Sequence, residues 1–169
     1  TIGVDPVREL EHELGLRALQ LLILGLAITP ARRFLGLNLM RFRRAIGLTA
    51  FGYVVLHLLA WLAFDIGPDA GRIWADLVKR PYITIGMAGL LMLIPLAVTS
   101  NNASIRRLGA GWRRLHRLAY PAALAGAIHY LMVVKAWPLQ PQVYLALILA
   151  LLALRLVPKR RIERFAPRK

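Results

Sequence analysis

The sequence predicts an all-α integral membrane bundle with five transmembrane helices, and three observations carry that prediction. Apolar residues make up 58% of the 169-residue chain, mean hydropathy is +0.55, and these residues fall in long uncharged runs rather than short periodic ones. Basic residues gather in alternate connections between those runs. Two histidines lie inside the runs, where an ionisable side chain is costly and marks a functional site by default.

A bilayer core needs roughly 20 apolar residues per helix. Five stretches approach that length, at about residues 14–29, 45–64, 81–99, 116–134 and 142–157. Pro30 is expected to stop the first, and Pro81 suits a first helical position in the third. The chain divides into an N-terminal segment over 1–13, a bundle over 14–157 and a basic tail over 158–169.

The net charge is +15, but apolar spans lie between the charged clusters, so the basic residues are read as topology signals and lipid contacts, not as a nucleic-acid face. Arg32, Arg33, Arg41, Arg43 and Arg44 lie between spans one and two. Arg106, Arg107, Arg113 and Arg114 lie between spans three and four, and Arg155, Lys159, Arg160 and Arg161 end the chain's last span and open its tail. The opposite connections carry Asp5, Glu9, Glu11 and Glu13, and then Asp65, Asp69 and Asp76 balanced by Arg72, Lys79 and Arg80. The positive-inside rule puts the arginine loops and C-terminus in the cytoplasm of a multi-pass inner-membrane protein and Thr1 outside. An outside Thr1 implies one further helix before it.

No cysteine is present, which excludes disulfides, thiolate-bound iron–sulfur clusters and covalent C-x-x-C-H heme attachment. His57 and His129 are the residues of interest. His57 is 12 residues past Ala45 and His129 is 13 past His116, depths of about 18 and 20 Å at about 1.5 Å per residue. Both helices run in the same direction, so the two imidazoles lie at similar height toward the outer side. Neutral imidazoles on facing helices suit the axial positions of a heme iron. The alternative is that each bonds a neighbouring backbone carbonyl or hydroxyl. The spans contain no Asp or Glu, which disfavours a proton-coupled transporter.

His116 stands at the cytoplasmic mouth of span four, about 140° around an ideal helix from His129. A second, inner heme would need a histidine near position 43, where Arg43 stands beside Arg44. His116, Arg43, Arg44, Arg113 and Arg114 therefore form a candidate inner cofactor site suited to a flavin or phosphate-bearing group. The alternative is an interfacial histidine in a basic lipid-facing belt. Arg72, Lys79, Arg80, Tyr82 and Trp137 are candidates for heme propionates or a partner, set against ordinary interfacial anchoring. His12 is read as a surface residue.

Several segments resemble the ferric-reductase-type transmembrane domain, and more narrowly the MsrQ family, the heme-binding membrane subunit of a bacterial periplasmic methionine sulfoxide reductase system. They include Gly3-Val4-Asp5-Pro6, Ala27-Ile28-Thr29-Pro30, Arg44-Ala45-Ile46-Gly47-Leu48 and Leu56-His57-Leu58. Lys79-Arg80-Pro81-Tyr82-Ile83-Thr84-Ile85-Gly86, Leu96-Ala97-Val98-Thr99-Ser100, Trp112-Arg113-Arg114-Leu115-His116 and Ile128-His129-Tyr130-Leu131 continue the match. The resemblance implies a six-helix family fold and matches His57, His116 and His129 to the family's heme histidines. It further implies heme b and flavin mononucleotide (FMN) as cofactors. Electrons would pass from the quinone pool or a cytoplasmic flavin reductase to a periplasmic molybdenum-containing methionine sulfoxide reductase subunit. The readings in competition are a stand-alone ferric or dioxygen reductase and a heme-free transporter or scaffold.

Overall fold

The protein is described here from a computed structural model covering residues 6–134 and 138–157. Trp137 and the tail over 158–169, both assigned roles from sequence, lie outside the described residues. Every regular element among them is helical.

Helix α1, Pro6–Phe34, has 29 residues and rises about 44 Å, well beyond a hydrocarbon core of about 30 Å. It is continuous across position 13 and does not stop at Pro30, contrary to the sequence-based expectation. Pro30 has no N–H for the carbonyl of Leu26, four residues back. The Arg155 guanidinium donates to that carbonyl at 2.7 Å. A proline is tolerated inside a membrane helix when a neighbour satisfies the freed carbonyl in this way.

A 3-10 turn, Met40–Phe42, leads into α2, Arg43–Ala60, which widens into a π turn over Trp61–Ile66. Gly67 ends that run at φ +73°, a backbone region that favours glycine. Helix α3, Ala70–Lys79, lies in what the hydropathy pattern leaves as a loop. Its N-terminus is capped by Asp69, whose carboxylate accepts from the Gly71 and Arg72 amides. Helix α4, Pro81–Val98, has its proline at the expected first position. At its other end Thr99 and Ser100 donate their hydroxyls to the carbonyls of Pro95 and Leu96 at 2.6 and 2.7 Å, serving acceptors that a helix terminus leaves open.

Two short helices, α5 (Asn102–Leu108) and α6 (Ala110–Leu115), carry the second arginine cluster and are separated by Gly109 at φ +51°. The expected fourth span becomes a 3-10 turn, His116–Leu118, followed by α7, Ala119–Val133. Helix α8, Leu139–Leu156, is the last among the described residues. Four runs among the described residues are long and apolar enough to cross a membrane: Pro6–Phe34, Met40–Ile66, Pro81–Val98 and Leu139–Leu156. Helix α7, at 15 residues, is the shorter element against which α1, α4 and α8 pack.

Helix α1 lies against α2, α7 and α8, and α4 against α2 and α7. The core is built from Leu19, Leu26 and Ile148 around Ala123 and Ala127, with Leu93, Leu96 and Ala122 beside it. Ala122, Ala123 and Ala127 of α7 are fully buried and let neighbouring backbones come close, as lipid-embedded interfaces require. Large apolar side chains such as Leu56, Leu91 and Val98 face outward, the pattern of a surface solvated by lipid.

Candidate heme site

Four helices converge on two imidazoles. His57, on α2, and His129, on α7, have ring centroids 6.1 Å apart with their planes 78° from parallel. The equal depth expected from the sequence therefore brings the two rings together, edge toward face.

Each ring is fixed by the same device. Nδ1 of His57 lies 2.8 Å from the Glu11 carbonyl of α1, and Nδ1 of His129 lies 2.7 Å from the Tyr82 carbonyl of α4. A carbonyl only accepts, so each Nδ1 is the N–H nitrogen and each Nε2 keeps its lone pair. A metal-bound histidine is oriented in the same way, with its second nitrogen donating to an outer acceptor. The carbonyl bond and metal ligation, set against each other in the sequence reading, are thus compatible.

Glycines make the approach possible. Gly15 lies four residues after Glu11, and Gly86 four residues after Tyr82. A helical side chain leans over the turn N-terminal to its own Cα, so a Cβ at either position would cover the carbonyl the histidine uses. A Cβ on Gly15 would sit 3.3 Å from the His57 ring, and one on Gly86 only 2.8 Å from Nδ1 of His129. Neither glycine was singled out as a site residue from sequence. The available signal was a glycine inside each of two helices facing the histidine-bearing ones.

The arrangement fits a heme. Two imidazoles on opposite sides of one metal ion, each bonded at about 2 Å, bring their ring centres to about 6 Å. Among the described residues no three His, Cys, Asp or Glu side chains converge on one point. A bare ion would therefore have only two protein ligands, whereas iron carried in a macrocycle needs no more than two axial ones.

The surroundings separate the remaining candidates. The Tyr82 ring lies 6.2 Å from that of His129, and its hydroxyl receives Arg80 at 3.3 Å. Arg80 also pairs with Asp76 at 3.4 Å. Arg72 is tied to its own helix cap, Asp69, at 3.5 Å, and Lys79 is exposed. His12 is exposed, as expected, with its ring 5.4 Å from that of Tyr130.

His116 is held quite differently. Its Nε2 is 3.0 Å from the Thr99 hydroxyl. That hydroxyl already gives its proton to the Pro95 carbonyl, so it accepts from His116, and Nε2 is the protonated nitrogen. Trp112 stacks on the ring at 3.8 Å and donates its indole N–H to the Thr99 carbonyl. Arg43 lies within electrostatic reach of His116, while Arg44 bonds Asn102 at 2.6 Å and Arg113 and Arg114 are exposed. The inner residues share one end of the bundle without closing around a common point.

The chain is a ferric-reductase-like transmembrane protein. Residues 14–127 match the family described as ferric reductase like transmembrane component. The protein-methionine-sulfoxide reductase heme-binding subunit MsrQ of Brucella anthropi is 50% identical over 156 residues, spanning 92% of this chain and 71% of its own length. Those of Brucella ovis and Brucella canis are 50% identical over 155 residues, spanning 92% and 70%. The chain belongs to the MsrQ family.

Proposed function

We propose that this chain is a membrane electron-transfer subunit that relays electrons through one heme b to a methionine sulfoxide reductase catalytic subunit. The observation that carries the reading is the pair of carbonyl-anchored imidazoles, with centroids 6.1 Å apart and both Nε2 lone pairs available. Heme, when bound there, supplies a one-electron iron couple.

The chain's own residues do the rest. His57 and His129 would hold the heme iron between them, and two imidazole ligands favour passing electrons over binding or activating a substrate. The Glu11 and Tyr82 carbonyls hold the rings in the ligating tautomer and raise their basicity. Helices α1, α2, α4 and α7 keep both rings partly buried. Arg80 and Tyr82, beside His129, are the best placed of the candidate propionate or partner contacts.

In the proposed topology the arginine-rich end faces the cytoplasm and the histidine pair lies toward the periplasm of a bacterial inner membrane. The donor is quinol or a cytoplasmic flavin reductase. The acceptor is a molybdenum-containing subunit in the periplasm. FMN, if carried, would sit among the arginines at the opposite end from His57. His116 is assigned a structural role, because its Nε2 proton is committed to Thr99.

The test is reoxidation of the dithionite-reduced, purified protein. A relative's periplasmic catalytic subunit together with methionine sulfoxide is expected to reoxidise it rapidly, and neither alone should do so. Rapid reoxidation by ferric chelates, with none by the reductase, would replace the relay with a stand-alone ferric reductase.

A further inference from the structure

Away from the histidine pair, at the arginine-rich end, α1 and α8 border a cleft of about 240 Å3. It is lined by Thr29, Pro30, Arg33, Leu154 and Arg155, with Tyr120 of α7. At about 30 Å3 per water in the liquid, that volume holds a phosphate group with several waters to spare.

Both arginines are partly committed. Arg155 donates to the Tyr120 hydroxyl at 2.9 Å and to the Leu26 carbonyl at 2.7 Å, and its guanidinium lies 4.8 Å from the centre of the Tyr120 ring. Arg33 donates to the Val157 carbonyl. Yet the Nε of Arg33 and the Nε of Arg155 are both buried and have no partner among the described residues. Buried donors are nearly always satisfied, and exceptions point to a missing water, ion or ligand.

Charge points the same way. Arg43 adds a third cation within electrostatic reach of Arg155. The described acids, Glu9, Glu11, Glu13, Asp65, Asp69 and Asp76, are all in the first turns of α1 or between α2 and α4, at the other end of the bundle. Partly buried guanidiniums without a carboxylate are unfavourable unless an anion completes them. Planar forks with free N–H groups match phosphate oxygens.

We propose that this cleft binds a phosphate group, with Arg33 and Arg155 as its two forks. The group is either the headgroup of an anionic phospholipid lying between α1 and α8 or free phosphate. This inference does not depend on the electron-relay reading.

The test uses the full chain, purified in a neutral detergent and stripped of lipid. A Glu163→Gln background removes the one acid of the 158–169 tail. Binding of phosphatidylglycerol, phosphatidylcholine and inorganic phosphate is followed by native mass spectrometry and thermal shift. The expected result is one phosphatidylglycerol or one phosphate, with affinity lowered about tenfold by Arg33→Gln, a typical loss for a charge-assisted contact. Arg155→Lys, which keeps the charge but has no Nε–H, is expected to weaken binding as well. Arg32→Gln, an exposed neighbour, should leave it unchanged. Phosphatidylglycerol binding that inorganic phosphate does not displace identifies a lipid headgroup, whereas saturable phosphate binding alone identifies the free ion. The proposal is overturned if neither ligand binds, or if Arg33→Gln and Arg155→Lys, both eluting as monodisperse protein, bind as Arg32→Gln does.

Discussion

Gly86→Ala tests the anchoring of His129 directly. The new methyl would lie 2.8 Å from Nδ1 of His129, whereas carbon and nitrogen in ordinary contact sit about 3.5 Å apart. Either the ring or α4 must retreat by roughly 0.7 Å. A retreat of the ring along the bond stretches its 2.7 Å hydrogen bond to Tyr82 past the limit of about 3.2 Å. Losing that bond costs about 1 kcal/mol, and forcing a methyl into a packed site about 1–3 kcal/mol. Against this, alanine in a helix is better than glycine by about 1 kcal/mol. The apoprotein should therefore melt within a few degrees of wild type, while heme affinity falls by about 10- to 100-fold, each tenfold being about 1.4 kcal/mol. Gly15→Ala faces a gap of 3.3 Å and should have the smaller effect. Titration of the apoprotein with hemin, followed by visible absorbance, measures both variants. Equal affinity in wild type and Gly86→Ala, or a larger loss in Gly15→Ala, would refute the anchoring argument.

Two further outcomes follow from the hydrogen bonds. Arg155→Met strands the Leu26 carbonyl and should destabilise the protein by about 1–3 kcal/mol, and adding Pro30→Ala should recover part of that loss by restoring an amide donor. Chemical denaturation of the single and double variants in micelles reads the coupling, and strict additivity would rule it out. Thr99→Val removes the acceptor for His116 and the donor to Pro95, which should lower stability by about 1–2 kcal/mol and leave the heme spectrum unchanged. A shifted heme spectrum in that variant would make His116 a ligand after all.

Much of the fold was legible because membrane helices announce themselves by length and hydropathy. Arginine placement then set the direction of each helix, and direction set the depth of His57 and His129. Pro30 misled, because whether a proline ends a helix depends on what meets the freed carbonyl, and Arg155 is 125 residues away in sequence. Helix α3 was missed because it is short and amphipathic, with its cap and polar face supplied by the acids and bases that read as a loop. The anchors at Glu11 and Tyr82 were invisible for a different reason. Every residue carries a carbonyl, and only tertiary packing selects which one a histidine reaches. His116 was a candidate ligand through the family resemblance, beside its reading as an interfacial histidine. The proton chain from His116 through Thr99 to Pro95 becomes readable only when α4 and the 116–118 turn are brought together.

The most direct test of the central claim is the reduced-minus-oxidised visible spectrum of purified His57→Ala, His129→Ala and His116→Ala, at matched protein concentration. The heme bands are expected to be lost or strongly altered in the first two variants and preserved in the third. An unchanged spectrum in either His57→Ala or His129→Ala would contradict that claim.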